Sequence, residues 1–370
     1  MGSRLSRLAG ASGARVGLAA DRVWRWLDDR AGLSVLHQLA AQKVVPRHRH
    51  SVFYYLGGMA LFLFIIQLAT GLLLLLYYEP GVSTAYESVK RISGEIPFGW
   101  LIRSIHRWSA DIFIGVLAVH MFTAYLMKAY RPPRELTWLT GVAALGMALV
   151  FGFSGYLLPW DEIAFFATAV GTAVAGAVPL IGQSLLELMR GGEDVTGATL
   201  ARFFALHVTL LPFAALVLLG AHLLLVQKHG MSVPPGVSES GRARPFFPDF
   251  LLHDIVGWTL ALALLAALAA LAPAELGPKA NPFASAPPDI KPEWYFYAPF
   301  QQLKMIPSHV GPFEGEAFGV VAFGALGLLF ALVPFLDRKA ARGEPSPLFT
   351  WAGVAVCAYL VSLTCYAWLH

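Results

Sequence analysis

Seven long apolar blocks, at about 52–77, 108–127, 137–158, 203–226, 254–272, 317–336 and 349–369, dominate this chain of 370 residues. Each is close to the roughly 20 residues that a helix needs to cross a bilayer core. Each also holds at most one or two ionisable residues, and in lipid such a segment satisfies its backbone only as a helix. The expectation is an all-α membrane protein with seven transmembrane helices. Composition agrees: 57% of residues are hydrophobic and 14% charged, against about 25% charged in soluble domains. A two-domain cytosolic enzyme, a disordered chain and a nucleic-acid binder are all disfavoured.

The basic residues give an orientation. Nine Lys and Arg precede the first block, from Arg4 to Arg49, and three more fall in each of the connections 128–134, 228–244 and 338–342. With seven alternating spans these 18 of the 27 share one side, which the positive-inside rule makes cytoplasmic. The N-terminus is then cytoplasmic and His370 lies outside, as expected for a bacterial inner membrane. The outer connections are longer and more acidic: Glu79 to Glu95, Asp161 to Asp194 and Glu275 to Glu316. Residues 1–20 lack an apolar core, so no cleaved secretory signal is expected. Residues 22–45 mix Val23, Trp24, Trp26, Leu27, Leu33, Leu36 and Leu39 with Arg and Asp, a pattern for a helix lying on the membrane surface. The connection 228–250, with Pro234, Pro235, Pro245 and Pro248, divides a four-helix from a three-helix part. The expected regions are 1–50, 51–230 and 231–370.

Two cysteines, Cys357 and Cys365, both lie in the last block. They exclude a disulfide scaffold, a four-thiolate iron–sulfur cluster and a CxxCH haem attachment. Histidine is the alternative. His106 and His120 belong to the second block, and His207 and His222 to the fourth. Spacings of 14 and 15 residues put the members of each pair ~21–22 Å apart along a helix, on nearly the same face. Both helices run in the same direction, so His106 is level with His207 and His120 with His222. Two facing imidazoles at two depths suit two axially ligated haem irons, and filled axial positions leave electron transfer as the chemistry. Gly57 and Gly71 in the first block, and Gly141 and Gly155 in the third, repeat the 14-residue period. A glycine facing a flat macrocycle removes a side chain where the ring must sit. Arg103, Arg107 and Arg202 flank the outer histidines and suit either propionate pairing or snorkelling to the interface. His37, His48 and His50 are read as surface residues.

Several runs resemble one family. Ser104-Ile105-His106-Arg107-Trp108-Ser109 with His120, Pro133 to Trp138, Gly155-Tyr156-Leu157-Leu158-Pro159-Trp160-Asp161, and Arg202-Phe203-Phe204 with His207 are similar to cytochrome b. This is the membrane core of Rieske–cytochrome b (bc1 and b6f) complexes. Pro292-Glu293-Trp294-Tyr295 resembles the quinol-site motif of the same family. The 15-residue spacing, the surface helix and three C-terminal spans resemble the photosynthetic branch, where the two parts are separate chains. That branch carries a cysteine that tethers a third haem, and Tyr55 stands in its place. Two noncovalent haems and no covalent third are therefore expected. Gln227 replaces an expected arginine, while Pro248 through Asp254-Ile255-Val256-Gly257 resembles the respiratory branch.

The resemblance implies quinol:cytochrome c oxidoreductase activity. Glu293 is then the base that accepts a quinol proton and Tyr295 a hydrogen-bond donor to the ring, with Tyr156, Pro159, Trp160 and Pro292 around the pocket. Asp254, Lys228 and His229 are the candidates for an inner quinone site. One quinol electron goes to a Rieske iron–sulfur protein and the other across the two haems, with protons released outside and taken up inside. The implied partners are the Rieske protein, a c-type cytochrome, a second copy of the complex and membrane lipids, with no nucleic acid. A dihaem anchor of a dehydrogenase explains the histidines but leaves the last three spans unused. An ion transporter predicts neither the matched depths nor the glycine period.

Overall fold

The computed structural model describes residues 21–32, 34, 42–287 and 290–370. Six helical stretches are long and apolar enough to cross a membrane: Ser51–Leu75, Gly99–Leu126, Glu135–Tyr156, Gly197–His229, Phe246–Leu271 and Pro347–Leu369. The block at 317–336 is interrupted. A helix of 17 residues, Gly315–Ala331, is followed by a separate turn, Val333–Leu336. Pro334 has no N–H to offer the carbonyl of Phe330. The Trp138 indole Nε1–H donates to that carbonyl instead, at 3.1 Å.

The chain divides into two compact units, residues 1–47 with 239–256, and residues 48–238 with 257–370. In the first, residues 21–31 are helical, with Trp24 and Trp26 exposed. Arg30 stacks on Trp26. Leu33, Leu36 and Leu39 of the expected surface helix lie outside the described residues. Val44–Val45 pairs antiparallel with Arg244–Pro245.

The second unit contains α1 (Tyr55–Leu75), α2 (Ala85–Gly94), α3 (Gly99–Leu126) and α4 (Glu135–Tyr156). Next come α5 (Glu162–Gly176), α6 (Gly182–Arg190), α7 (Gly197–Ala205) and α8 (Leu211–His229). After α9 (Leu251–Leu271), which begins in the first unit, follow α10 (Tyr297–Met305), α11 (Gly315–Ala331), α12 (Val333–Leu336), α13 (Arg338–Ala341) and α14 (Pro347–Leu369). Helix α1 packs along α3, α4 along α8, and α10 against α14. Helix α3 starts ahead of its apolar block, so Arg103, His106 and Arg107 all lie inside it. The connection 161–194 folds into α5 and α6. Its start is set by Asp161, whose Oδ1 accepts the Ala164 N–H at 2.9 Å, satisfying one of the unpaired donors of a helix N-terminus.

One irregularity positions the site. Helices α7 and α8 join through a π-turn, Leu206–Leu210, in which the Leu211 N–H reaches back to the Leu206 carbonyl. Pro212 cannot supply the N–H that Val208 would otherwise bind, and the helix widens by one residue there. That extra residue falls just after His207. The spacing of 15 between His207 and His222 thus becomes equivalent to the 14 of His106 and His120 on unbroken α3.

Two apolar clusters close the second unit. One gathers Ala85, Leu157, Trp160, Phe165, Val195, Leu200 and Phe203. The other gathers Met121, Tyr125, Tyr130, Trp138, Val333 and Ala340.

Candidate functional site

The four span histidines come together as two pairs. His106 lies within electrostatic range of His207, and His120 of His222. All four are half-buried. Three of them make the same bond: His106 Nδ1 meets Thr70 Oγ1 at 2.9 Å, His222 Nδ1 meets Thr140 Oγ1 at 3.0 Å, and His207 Nδ1 meets Ser154 Oγ at 3.1 Å. Each hydroxyl has a single proton, which it gives to a helix carbonyl: Thr70 to Ile66, Thr140 to Leu136 and Ser154 to Phe151. The hydroxyl must therefore accept from the imidazole. Nδ1 holds the ring proton, and Nε2 keeps the lone pair that a metal needs.

The glycines meet these same rings. A Cβ on Gly155 would stand 2.6 Å from His207 Cε1, and one on Gly71 or Gly141 would stand 3.3 Å from Cε1 of His106 or His222. On Gly57 it would stand 3.4 Å from His120 Cε1. The glycines thus make room for the imidazoles themselves. Among the described residues no three of His, Cys, Asp and Glu converge as a metal cluster. Two imidazoles with free Nε2 atoms fit an iron whose other four donors come from a macrocycle, so the donor set suits a bis-histidine haem. The signal in the sequence was a dipeptide that the glycine spacing alone does not use: Thr70-Gly71, Thr140-Gly141 and Ser154-Gly155.

At one end of α3 the quinol-motif segment is held tightly. Glu293, only 8% exposed, precedes a short 3-10 turn, Trp294–Phe296, that leads into α10. Its Oε1 accepts from Arg107 Nη1 at 2.7 Å. Burial pushes the Glu293 carboxyl above its usual range, and the Arg107 charge pulls only part of that back. The Tyr295 hydroxyl is pushed up as well, mainly by burial and then by the Glu293 charge. Tyr295 packs onto Gly152 of α4, where a Cβ would meet its Cζ at 2.9 Å. Tyr156 is half-buried and interacts electrostatically with Glu293. Pro159 and Pro292 are also half-buried.

Three expected site residues have other work. Trp160, expected in the pocket wall, is 1% exposed inside an apolar cluster, so no ring face is left for a ligand. Its role is packing. Arg103 Nη1 and Nη2 each donate at 2.7 Å, to the carbonyls of Ala274 and Glu275. Arg202 Nη1 donates to the carbonyls of Glu187 and Leu188. Asp254, in the first unit, is buried. In the second unit, Lys228 is exposed and the His229 carbonyl accepts from Arg134 Nη2 at 2.8 Å. His48 is no surface residue: it is 4% exposed, with Nε2 2.6 Å from the Tyr54 hydroxyl. His37 lies outside the described residues.

One residue escaped the sequence reading. Asp111, an acid within the second span, accepts from Trp294 Nε1 at 3.0 Å and stands 3.9 Å from Arg107 Nη1. Its signal was its place, since intramembrane acids default to function.

Comparison with known proteins agrees with this geometry. Residues 41–230 match the family described as cytochrome b/b6/petB, and residues 279–369 match cytochrome b(C-terminal)/b6/petD. A cytochrome bc complex cytochrome b subunit from Chlorobaculum thiosulfatiphilum is 48% identical over 346 residues, 92% of this chain and 79% of the relative. Cytochrome b6 from Synechocystis sp. is 44% identical over 213 residues, 58% of this chain and 96% of the relative. Among solved structures, a chain of a hyperthermophilic respiratory Complex III superposes with a TM-score of 0.78 at 31% identity, covering 93% of this chain and 98% of that one. The chain is therefore a member of the cytochrome b/b6 family, an integral membrane protein that carries the b6-like and petD-like parts on one polypeptide.

Proposed function

We propose that the chain is the dihaem cytochrome b subunit of a quinol–cytochrome c reductase and oxidises quinol on the outer side, at Glu293. One observation carries this reading: the Arg107–Glu293 ion pair at 2.7 Å ties the quinol-motif segment to the helix turn that bears His106. A quinol bound there is held next to a buried carboxylate and a half-buried phenol, Tyr295. Glu293 Oε1 is engaged by Arg107, which leaves Oε2 to take the quinol hydroxyl proton as a general base. Gly152, by admitting the Tyr295 ring, keeps that hydroxyl in the segment between α4 and α10.

Quinol gives one electron to a Rieske protein, since this chain has no cysteine set for a cluster. His106 with His207 and His120 with His222 would hold two noncovalent haems, which when bound would supply the one-electron chemistry for the other electron. Asp254 is the proposed proton donor to the quinone reduced on the inner side, with Lys228 and His229 as basic groups on that same side. In this reading seven spans cross the membrane, α11 and α12 together forming the sixth. The N-terminus is cytoplasmic and His370 outside. Region 51–230 binds haem and region 231–370 completes the quinol site. A c-type cytochrome subunit and a second copy of the complex complete the assembly, in a bacterial inner membrane.

Replacing Glu293 tests this directly. Glu293→Gln in the purified complex is expected to slow quinol oxidation by about 100-fold or more, the range for loss of a general base. The reduced-minus-oxidised haem spectrum should stay unchanged. Wild-type turnover in that variant would remove the role assigned to Glu293. A pyridine haemochrome assay is expected to return two b-type haems per chain.

A further inference from the structure

We propose that Asp111 is a positioning residue for quinol oxidation: it is the second counter-ion of Arg107, and it lets Glu293 become neutral without stranding the guanidinium. The inference rests on the reading of Glu293 as the quinol base. Its geometry is a chain of three charged groups. Arg107 Nη1 lies 2.7 Å from Glu293 Oε1 and 3.9 Å from Asp111 Oδ2. Asp111 is one turn along α3 from Arg107, the separation at which helix side chains meet. Its side chain is 16% exposed and that of Glu293 is 9%. Its other oxygen, Oδ1, accepts from Trp294 Nε1 at 3.0 Å, and the Trp294 ring packs at Gly115 on the same helix. Asp111 is thereby fixed to both the arginine and the segment that carries Glu293.

The reaction explains why a second carboxylate is useful. When a quinol hydroxyl passes its proton to Glu293, one O–H bond breaks and another forms at Oε2. The electrons leave for the acceptors named above. Glu293 then has no charge, whereas Arg107 keeps its own at any working pH. With a single partner that arginine, its side chain 46% exposed, would be left with no counter-ion beside the neutral acid. With Asp111 Oδ2 already 3.9 Å from Nη1, the guanidinium keeps a carboxylate partner and Glu293 is released to turn away with its proton. The other titratable groups facing Glu293 are Tyr156 on α4 and Tyr295 and Tyr297 on its own segment. None of these is a cation or an acid of carboxylate strength. Asp111 is therefore the residue whose charge opposes that of Arg107.

A merely structural Asp111 would only anchor Trp294, and the substitutions separate the two roles. Asp111→Asn keeps the oxygen that accepts from Trp294 but loses the charge. Trp294→Phe loses the hydrogen bond but keeps the charge. Steady-state turnover of the complete complex is followed across pH with a decyl-substituted quinol that sustains the wild-type enzyme. Turnover rises along its acidic limb as Glu293 ionises. Without the Asp111 charge, Arg107 holds Glu293 ionised to lower pH, so in Asp111→Asn the limb moves down by about one pH unit. The plateau kcat falls, because Glu293 is a weaker base, while KM stays near wild type. Asp111→Glu returns the limb toward its wild-type position, and Trp294→Phe does not displace it. Should Asp111→Asn fail to assemble, judged by its haem spectrum, Asp111→Ser carries the same expectation. An unmoved limb in the uncharged variant, or an equal displacement in Trp294→Phe, overturns the proposal. An unaffected Glu293→Gln enzyme instead overturns the reading beneath it, so the two failures are distinguishable.

Discussion

A single Cβ is enough to separate the four histidine positions. At Gly155 it would stand 2.6 Å from His207 Cε1, closer than side chains tolerate, whereas at Gly57 the 3.4 Å approach to His120 is ordinary contact. Gly155→Ala is therefore expected to push the His207 ring aside and abolish or strongly shift one of the two haem signals in a redox titration. Gly57→Ala should leave both signals near wild type. Equal behaviour of the two variants would show that the rings are not located by these glycines. The hydroxyls make a second graded set. Thr140→Val keeps the shape but removes the acceptor that fixes the His222 Nδ1 proton, and loss of such a partner weakens metal retention by about 10-fold or more. The check is haem content per chain after purification. Among the described residues His120 meets no corresponding hydroxyl, because Leu56, not Ser or Thr, precedes Gly57. Leu56→Thr is thus a substitution that adds what the other three sites already have.

At the scale of elements, the turn between α3 and α4 is clasped to the junction of α12 and α13. Asp337 is 1% exposed and Lys128 is 4%. Lys128 Nζ lies 3.6 Å from Asp337 Oδ2, and the Tyr130 hydroxyl donates to the same oxygen at 2.7 Å. Lys128 holds a left-handed backbone, φ 54°, a conformation uncommon for a residue with a side chain. Burial pushes Asp337 up, but bonds from Ser346, Tyr130 and the Ala340 N–H, with the Lys128 charge, outweigh it and hold the carboxyl below its usual range. A depressed carboxyl contributes stability above its unfolded pKa and loses it as pH falls through the folded one. Asp337→Leu, leaving Lys128 buried and alone, is expected to cost about 3–5 kcal/mol at neutral pH. Lys128→Met added to it should recover most of that loss, because two apolar groups need no pairing. Thermal unfolding of the purified complex measures both, and the gap between wild type and Asp337→Leu should close only below about pH 4. This scale also shows what the sequence could reveal. Apolar blocks and histidine periods are one-dimensional, and both were legible. The π-turn was hidden because Pro212 reads equally as a kink, and the clasp because Lys128 and Asp337 lie 209 positions apart with nothing local to join them. Trp160 was misread for a related reason: a motif names a residue but not the side to which its ring points.

For the whole molecule, the telling comparison is with a shorter relative. Synechocystis cytochrome b6 aligns over 96% of its own length with only 58% of this chain, so the b6-like part exists elsewhere as a separate polypeptide. Here the links between residues 48–238 and 257–370 are numerous and noncovalent. Arg103 holds the Ala274 and Glu275 carbonyls, Arg107 holds Glu293, Trp138 holds Phe330, Tyr125 donates to the Phe349 carbonyl at 2.6 Å, and Lys128 faces Asp337. They are distributed over both ends of α3 and the start of α4 and do not depend on the peptide between Pro235 and Val237. Gly236, exposed with φ 71° and nothing within 4 Å of its Cβ position, is a natural place to open the chain. Co-expression of residues 1–236 and 237–370 is therefore expected to yield a complex with both haem signals and quinol oxidation close to wild type. Joining the chain raises the effective concentration of one part near the other, so its contribution should appear only when the contacts are weakened. In the split protein, Asp337→Leu should release the C-terminal piece during affinity purification through a tag on the N-terminal piece, while in the unbroken chain the same substitution only lowers the unfolding temperature. Retention of that piece would mean that the remaining arginine, tryptophan and tyrosine bonds suffice to hold the two parts together.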